Sequence, residues 1–356
     1  MAGVTIYQVA REAGVSPSTV SNFLNGRPER MLPQTRSRVA AAIDKLGYRP
    51  NRAARQLRTG RIQVIGLVVP SVANPFWGNF ARLLERAALA EGYHVLLCNS
   101  ERDPERERGY LDELWADGIR GVVLCSSLPS LAHVLPLVDA GLGLVAFDRT
   151  AQAGDPAALV NISVDNVVGA HLATAHLLQL GHRRIAFVSG SLRSVNRRDR
   201  FRGFSQAFEQ AGIDPAEAIV WPGGAEQEPY GDLDAAELGR NAARELLASP
   251  DRPTGIVAMN DMCALGVSAG VRDAGLVVGR DVSVVGFDDI VLADLAAPPL
   301  TTVRQPIADM AAAAFQHLRS RIDDPSGGPS QSLLMRPELV VRASTGTAPR
   351  TEGRGS

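Results

Sequence analysis

The chain has 356 residues, 45% hydrophobic and 21% charged, which suits two or three globular domains with sizeable cores. No apolar run approaches the ~18 residues that span a bilayer. The N-terminus MAGVTIYQVAREAGVS is polar by its seventh residue, so no secretory signal is expected and a cytoplasmic location is. Cys98, Cys125 and Cys263 stand singly with no CxxC spacing, which argues for buried reduced thiols rather than a disulfide framework or zinc site. The net charge of −1 hides an asymmetry. Residues 1–61 carry eleven Lys and Arg against Glu12, Glu29 and Asp44, a net of +8, while the remainder carries −9. A small basic end on a large acidic body points to a polyanion-binding module attached to something else.

In the basic end, Thr5 is a good N-cap, and Ile6, Val9 and Ala10 recur at helical spacing up to Gly14. Ser16 caps a second helix with Pro17 at its first position, where a missing N–H costs nothing. Thr19, Val20, Phe23 and Leu24 follow, and Asn25-Gly26 ends the run. Two short helices joined by Ala13-Gly14-Val15 form a helix-turn-helix pattern, with a third amphipathic helix from Gln34 to Leu46. Such a unit lays its second helix in the DNA major groove, and Pro17, Ser18, Ser21 and Asn22 point away from that helix's apolar stripe.

Next, Pro50 opens and Gly60 closes a two-turn helix with a small-residue face of Ala53, Ala54 and a protruding Leu57, flanked by arginines. That composition suits minor-groove insertion with a leucine wedge; a basic interdomain linker is the alternative. The stretch TIYQVAREAGVSPSTVSNFLNG…TRSRVAAAIDKLGYRPNRAARQLRTG resembles the N-terminal signature of the LacI/GalR family of bacterial transcription regulators. The resemblance implies that Pro17, Ser18 and Asn22 read bases and that Leu57 intercalates. Asn22 stands where the family usually has arginine or histidine, so a contact to guanine gives way to one suited to adenine. The candidate DNA-binding set is completed by Thr5, Thr19, Ser21, Asn25, Tyr48, Asn51 and Ala54.

From Ile62, the apolar runs VIGLVV, YHVLLC, GVVLC, GLGLVAF, RIAFV, GIVAM and VSVVGF alternate with helical stretches, the rhythm of parallel sheets covered on both faces. Four early runs and three later ones predict two similar lobes, with crossing segments near 158–165, 290–305 and 321–328. In such sheets ligands bind beyond the carboxyl ends of strands. The arrangement resembles the type I periplasmic sugar-binding fold that the family carries, which extends the resemblance over nearly the whole chain. The expected fold is thus α/β: a small all-α helix-turn-helix headpiece at 1–48, a hinge helix at 49–61 and a bilobal periplasmic-binding-protein-like core of two parallel-sheet lobes at 62–342. The N-lobe is expected at about 62–160 plus 291–322 and the C-lobe at about 161–290 plus 325–342. Residues 343–356, ASTGTAPRTEGRGS, are low in hydrophobics and expected to be disordered. They hold no leucine heptads, so a homodimer is expected rather than a tetramer.

The resemblance transfers the effector cleft to Asp148, Arg200, Asn260 and Asp288, while Asn74, Phe76 and Trp77 lie on the first strand–helix loop. One of Phe76 and Trp77 is expected to face the cleft. Carboxylates, an amide, an arginine fork and an aromatic face suit a polyol, so a sugar effector is expected. Asn260 and Asp261 favour a sugar over a purine co-repressor, the alternative, although Asn260-Asp261 and Asp288-Asp289 also fit helix caps. His171 and His176 fall on different helical faces, and His182 follows Gly181 at a helix end, which suits capping rather than chemistry. No GxSxG, P-loop or HExxH occurs, so no catalytic residue, metal or cofactor is expected. Two other readings compete: a sensory solute-binding protein, and a sugar enzyme using Asp148 and Asp288 as an acid/base pair. The expected partners are double-stranded operator DNA, a small-molecule effector and a second copy of the chain, with no membrane.

Overall fold

The computed structural model describes residues 4–24, 31–48, 63–126, 128–156, 159–221, 235–324 and 331–349. The chain divides into two compact units, Met1–Ile62 and Gln63–Ser356. In the first, α1 (Ile6–Ala13), α2 (Pro17–Leu24) and α3 (Pro33–Leu46) form a three-helix unit. Thr5 and Gln8 make a reciprocal capping box on α1, and Gly14 takes φ +61° to end it. The Ser16 hydroxyl accepts the Thr19 N–H at 3.2 Å and so starts α2. The core is small: Val9, Ala10, Ala13, Val20, Val39 and Ala42 are buried, with Ile6, Phe23, Leu24, Ile43, Leu46 and Tyr48 packed around them. The predicted hinge helix at 49–61 lies outside the described residues, as do Asn25, Asn51, Ala54 and Leu57.

The second unit holds two six-stranded sheets. The N-lobe sheet contains β1 (Val64–Val69), β2 (His94–Asn99), β3 (Gly121–Leu124), β4 (Gly143–Phe147), β5 (Val160–Val164) and β11 (Gln331–Met335), in the order β11-β5-β4-β3-β1-β2. All its pairings are parallel. The C-lobe sheet contains β6 (Ile185–Val188), β7 (Ile219–Trp221), β8 (Gly255–Ala258), β9 (Ser283–Asp288), β10 (Thr301–Arg304) and β12 (Glu338–Val340), in the order β12-β10-β9-β8-β6-β7. Here β12 pairs antiparallel with β10 and the other pairings are parallel. The central strands are apolar runs buried on both faces, because helices cover both sides of each sheet. Helix α4 (Pro75–Ala90), α5 (Pro104–Ala116), the short α6 (Leu135–Asp139) and α12 (Ile307–Asp323) belong to the N-lobe. Helices α7 (Asn166–Gln179), α8 (Val195–Gln210), α9 (Ala235–Leu247), α10 (Asp261–Asp273) and the short α11 (Val291–Leu295) belong to the C-lobe.

The lobe boundaries differ from the sequence expectation in three places. Residues 160–164 form an N-lobe strand although 161 onward was expected in the C-lobe, and residues 301–304 pair with β9 in the C-lobe rather than falling in the N-lobe. Residues 331–335 pair with β5 of the N-lobe, not with the C-lobe. The chain therefore crosses at Asp165, at Gln305-Pro306 and at Arg336-Pro337. Each of these strands is only four or five residues long, and the sheet it completes is set by which distant strand it pairs with, so hydrophobic runs do not reveal it.

The expected disordered tail is also corrected for residues 343–349. Ser344 is buried; its N–H donates to Pro299 O at 3.0 Å and its carbonyl accepts the Val284 N–H at 2.9 Å. His176 Nε2 bonds Thr345 Oγ1 at 2.9 Å, and His182 bridges Thr254 Oγ1 at 2.9 Å and Gly346 O at 3.0 Å. The His182 ring is thus a strut between Thr254, just before β8, and the C-terminal segment, while its backbone N–H, given to Leu177 O at 3.1 Å after Gly181 at φ +89°, caps the end of α7 as expected. Burial lowers the pKa of His182 from its ordinary value of 6.5. Burial first, and then the charge of His182, lowers that of His176. A neutral ring favoured in the folded state means that the unfolded chain takes up protons first as pH falls. Thermal stability is therefore expected to hold above about pH 6.5 and to decline below it. Replacing His182 by glutamine is expected to reduce that slope in melts recorded between pH 7.5 and 5.5.

Two helix pairs in the C-lobe meet through glycines. A Cβ on Gly203 would lie 2.0 Å from Val167 O, and one on Gly266 would lie 1.8 Å from Ala236 O. Backbone is the obstacle in both cases, so the helices would have to separate. Gly266→Ala is expected to cost about 1–3 kcal/mol, seen as a fall of several degrees in Tm.

Candidate functional site

On α2 the exposed positions are Ser18 and Asn22, with Pro17 and Thr19 half-buried. Ser21 departs from expectation, being only 7% exposed. Positions 17, 20, 21 and 24 form one helical stripe, so Ser21 shares the inward side of Val20 and Leu24. Thr5 is exposed but its hydroxyl serves the α1 cap, and Tyr48 packs on the core of the unit. Lys45 on α3 pairs with Glu12 on α1 at 2.7 Å on the surface, and the exposed side chains of α2 are small and polar.

In the second unit, loops after the strands of both lobes meet around one cavity. It is lined by Asn74, Phe76, Trp77, Arg102, Asp148, Asn196, Arg197, Arg200, Met259, Asn260 and Asp288. All seven residues singled out from the sequence are brought together there. Asn74 caps α4, its Oδ1 accepting the Phe76 N–H at 3.0 Å, and so fixes the first turn carrying both aromatics. Phe76 and Trp77 both line the cavity, where only one was expected, and they meet edge to face at 4.9 Å. Asn260 caps α10 through its Oδ1, 2.9 Å from the Cys263 N–H, while still reaching the cavity.

Asp148 follows β4 at φ +59°, and Asp288 ends β9 at φ +118°. Neither caps a helix. Asp148 Oδ2 accepts Asn196 Nδ2–H at 2.8 Å, a bond between the lobes, and Asp288 Oδ1 accepts Gln305 Nε2–H at 2.7 Å. Arg200 is anchored three ways. Its Nε donates to Asn166 Oδ1 at 2.8 Å, a terminal nitrogen donates to Met259 O, and its guanidinium lies 3.7 Å over the Phe287 ring. The other terminal nitrogen lies 3.8 Å from Asp288. Asp261 turns away from the cavity: its carboxylate accepts Thr302 Oγ–H at 2.5 Å and the Ile290 N–H at 2.9 Å. Burial, then the neighbouring Asp288, pushes its pKa well above the ordinary carboxylate range. Its use as a sugar indicator is thereby corrected, since it braces the β9–α11 turn instead.

Sequence reasoning missed Arg102, Asn196 and Arg197. Arg102 sits at φ +57° beside Glu101 at φ +52°, and two successive non-glycine residues at positive φ leave no mark in a hydropathy pattern. Arg197 stands in a run of arginines that reads as solvated surface, yet it is 6% exposed. The cavity leaves about 20 Å³, room for little more than one water. A groove of about 570 Å³ shares Phe76 and Asp288 with it and is otherwise lined by residues such as Arg82, Ile290, Arg304 and Ile307. Among the described residues no helix is long and apolar enough to cross a membrane.

A helix-turn-helix unit in a basic segment, joined to a two-lobed core with a polar cleft, defines the class of DNA-binding regulators with an effector-binding core. Residues 5–51 match the bacterial regulatory proteins of the lacI family, and residues 174–345 match a periplasmic binding protein-like domain. The chain is 33% identical over 341 residues to the HTH-type transcriptional regulator DegA of Bacillus subtilis (strain 168), covering 96% of this chain and 98% of that protein. It is 33% identical over 343 residues to the ribose operon repressor of Escherichia coli (strain K12), covering 96% and 99%. The crystal structure of the Lac repressor dimer bound to operator and an anti-inducer matches with a TM-score of 0.81 at 27% identity, over 97% of this chain and 100% of that one. The chain belongs to the LacI family of bacterial DNA-binding transcriptional regulators.

Proposed function

We propose that the chain is a cytoplasmic transcriptional repressor, without enzymatic activity, that binds a palindromic operator as a homodimer and responds to a sugar in the cleft between its lobes. The observation that carries this reading is the convergence of Asn74, Phe76, Trp77, Asp148, Arg200, Asn260 and Asp288 on one cavity, in a chain that begins with a helix-turn-helix unit. Hydrogen-bonding side chains opposite an aromatic pair suit a ring with hydroxyls at its rim and C–H groups on its face. A relative named for the ribose operon supports a sugar. Dimerisation is supported by the N-lobe edge, where Leu96 and Leu97 on β2 and Leu89 on α4 are each at least 45% exposed. An edge strand with two exposed leucines invites a covering partner. The Lac repressor was crystallised as a dimer on its operator.

In this reading Pro17, Ser18 and Asn22 meet base edges in the major groove. Thr5, Thr19, Asn25, Tyr48, Asn51 and Ala54 support the contact, and Leu57 wedges the central minor-groove step. Ser21 supports the helix from inside. The hinge segment enters the core at β1, so a change in lobe closure alters the spacing from which two hinges reach the DNA. A coupling of ~1–3 kcal/mol between cleft and headpiece would change operator affinity five- to 150-fold. The test is selection of bound sequences from a random duplex pool at near-physiological salt. Recovery of an inverted repeat supports the reading, and no enrichment with or without a metabolite extract overturns it. On the recovered site, Asn22→Ala is expected to weaken binding by ~1–3 kcal/mol and to relax the preference at one symmetric position. Asp288→Ala is expected to lower effector affinity at least tenfold by calorimetry, since a charged hydrogen-bond partner is lost.

A further inference from the structure

Two charged residues of the cleft are tied to the segments that cross between the lobes. Arg200 donates to Asn166, which follows the first crossing at Asp165, and Asp288 accepts from Gln305, which opens the second. The third crossing, Arg336-Pro337, runs beside the second, because β10 and β12 pair antiparallel with Arg304 opposite Glu338. It is also bonded to the first, where the Asp165 N–H donates to Met335 O at 2.8 Å.

Arg304 stands where these ties converge. Its Nε donates to Asp289 Oδ2 at 2.6 Å and its Nη1 to Glu338 Oε1 at 2.7 Å. Asp289 directly follows Asp288 and is also at positive φ, 52° after 118°. Two rungs therefore lie side by side between the end of β9 and the second crossing: Gln305 to Asp288 and Arg304 to Asp289. Arg342 donates to the other oxygen of Asp289 at 2.7 Å and lies 3.3 Å from Asp294. The Asp289 side chain is only 10% exposed, so its bonds are screened less than those of a surface pair.

The prolines determine where the crossings can bend. A proline fixes its own φ and restricts the residue before it, so Gln305-Pro306 and Arg336-Pro337 absorb little rotation. A change in the angle between the lobes then falls on the residues that flank them, as at other hinges. Arg304 and Glu338 are two of those flanks, and one guanidinium joins both to the end of β9.

We propose that Arg304 is a positioning residue that couples the place of Asp288 to the angle between the lobes. It does not line the cleft and acts through Asp289 and Glu338. A ligand that moves the Asp288 carboxylate moves the 288–289 reversal and, through Arg304, the second and third crossings together. The biological use of this coupling rests on the effector reading above, but the coupling itself is tested without a ligand.

The experiment measures the distance between the lobes in the full-length protein by pulsed electron double resonance. Spin labels are placed at Ala140→Cys on the N-lobe and Ala248→Cys on the C-lobe, both exposed, in a Cys98→Ala background, since Cys125 and Cys263 are buried. Excess unlabelled protein keeps the measured pair within one protomer. Arg304→Met, which keeps an apolar stem and removes both ion pairs, is expected to add a second distance or raise a minor one about five-fold. Glu338→Gln, which leaves the Asp289 rung, is expected to do so less. Arg280→Met, which breaks an exposed pair with Asp281 away from the crossings, is expected to change nothing. The Arg304 side chain is 47% exposed, so its loss leaves no buried void, and a merely structural role would lower Tm without altering the distances. Identical distances in Arg304→Met and its parent overturn the inference, whatever happens to Tm. An equal change in Arg280→Met also overturns it. Neither result bears on the repressor reading, which the duplex selection judges separately.

Discussion

The geometry of the core depends on how two corresponding strands end. In the order of the two sheets, β4 and β9 occupy the same place, and each runs out into an aspartate at positive φ, Asp148 and Asp288. A non-glycine residue keeps such a conformation only when its surroundings over-determine it. At β4 the Asp148 N–H donates to Ile162 O on the neighbouring strand at 2.8 Å, and the next residue, Arg149, is wholly buried with its Nη1 donating to both carboxylate oxygens of Asp155. At β9, Gln305 holds Asp288, while Arg304 and Arg342 hold Asp289 at 2.6 and 2.7 Å. The two reversals aim carboxylates from opposite lobes into one space.

At the cleft the chain crosses between the lobes three times, and polar contacts bridge them. Asn196 to Asp148 and Thr150 to Asp199 are single hydrogen bonds from one lobe to the other. A net hydrogen bond contributes only about 1 kcal/mol, somewhat more when one partner is charged. One large apolar cluster takes in residues of both lobes, from Phe80 and Phe147 to Phe187 and Phe204, and a second lies within the C-lobe. In the proposed mechanism the cleft is the element with two arrangements, and a ligand shifts it only through a difference in affinity for the two. The close glycine contacts at Gly203 and Gly266 hold the C-lobe helices together in pairs, α7 with α8 and α9 with α10.

The N-terminal unit works on a different scale. Among its described residues the buried apolar side chains are three valines and three alanines, a small core. Local devices compensate: the capping box at Thr5, the Ser16 cap and left-handed glycines at 14 and 47. These are short-range features, and for that reason they stand out in the sequence.

Local features were legible before folding was considered: the three N-terminal helices and their caps, the apolar central strands, and the polar residues at strand ends that line the cleft. Hydrophobic period and capping chemistry act within a few residues, so a linear pattern records them. The remaining features depend on partners far along the chain. Residues 160–164, 301–304 and 331–335 are exchanged between sheets by pairing, which no local pattern encodes. Residues 343–349 are polar but ordered, because their hydrogen bonds go to Pro299, Val284 and His182, distant in sequence and adjacent in the fold. Ser21 turned inward and Arg102 and Arg197 turned into the cleft for the same reason: burial of a polar side chain is set by what surrounds it.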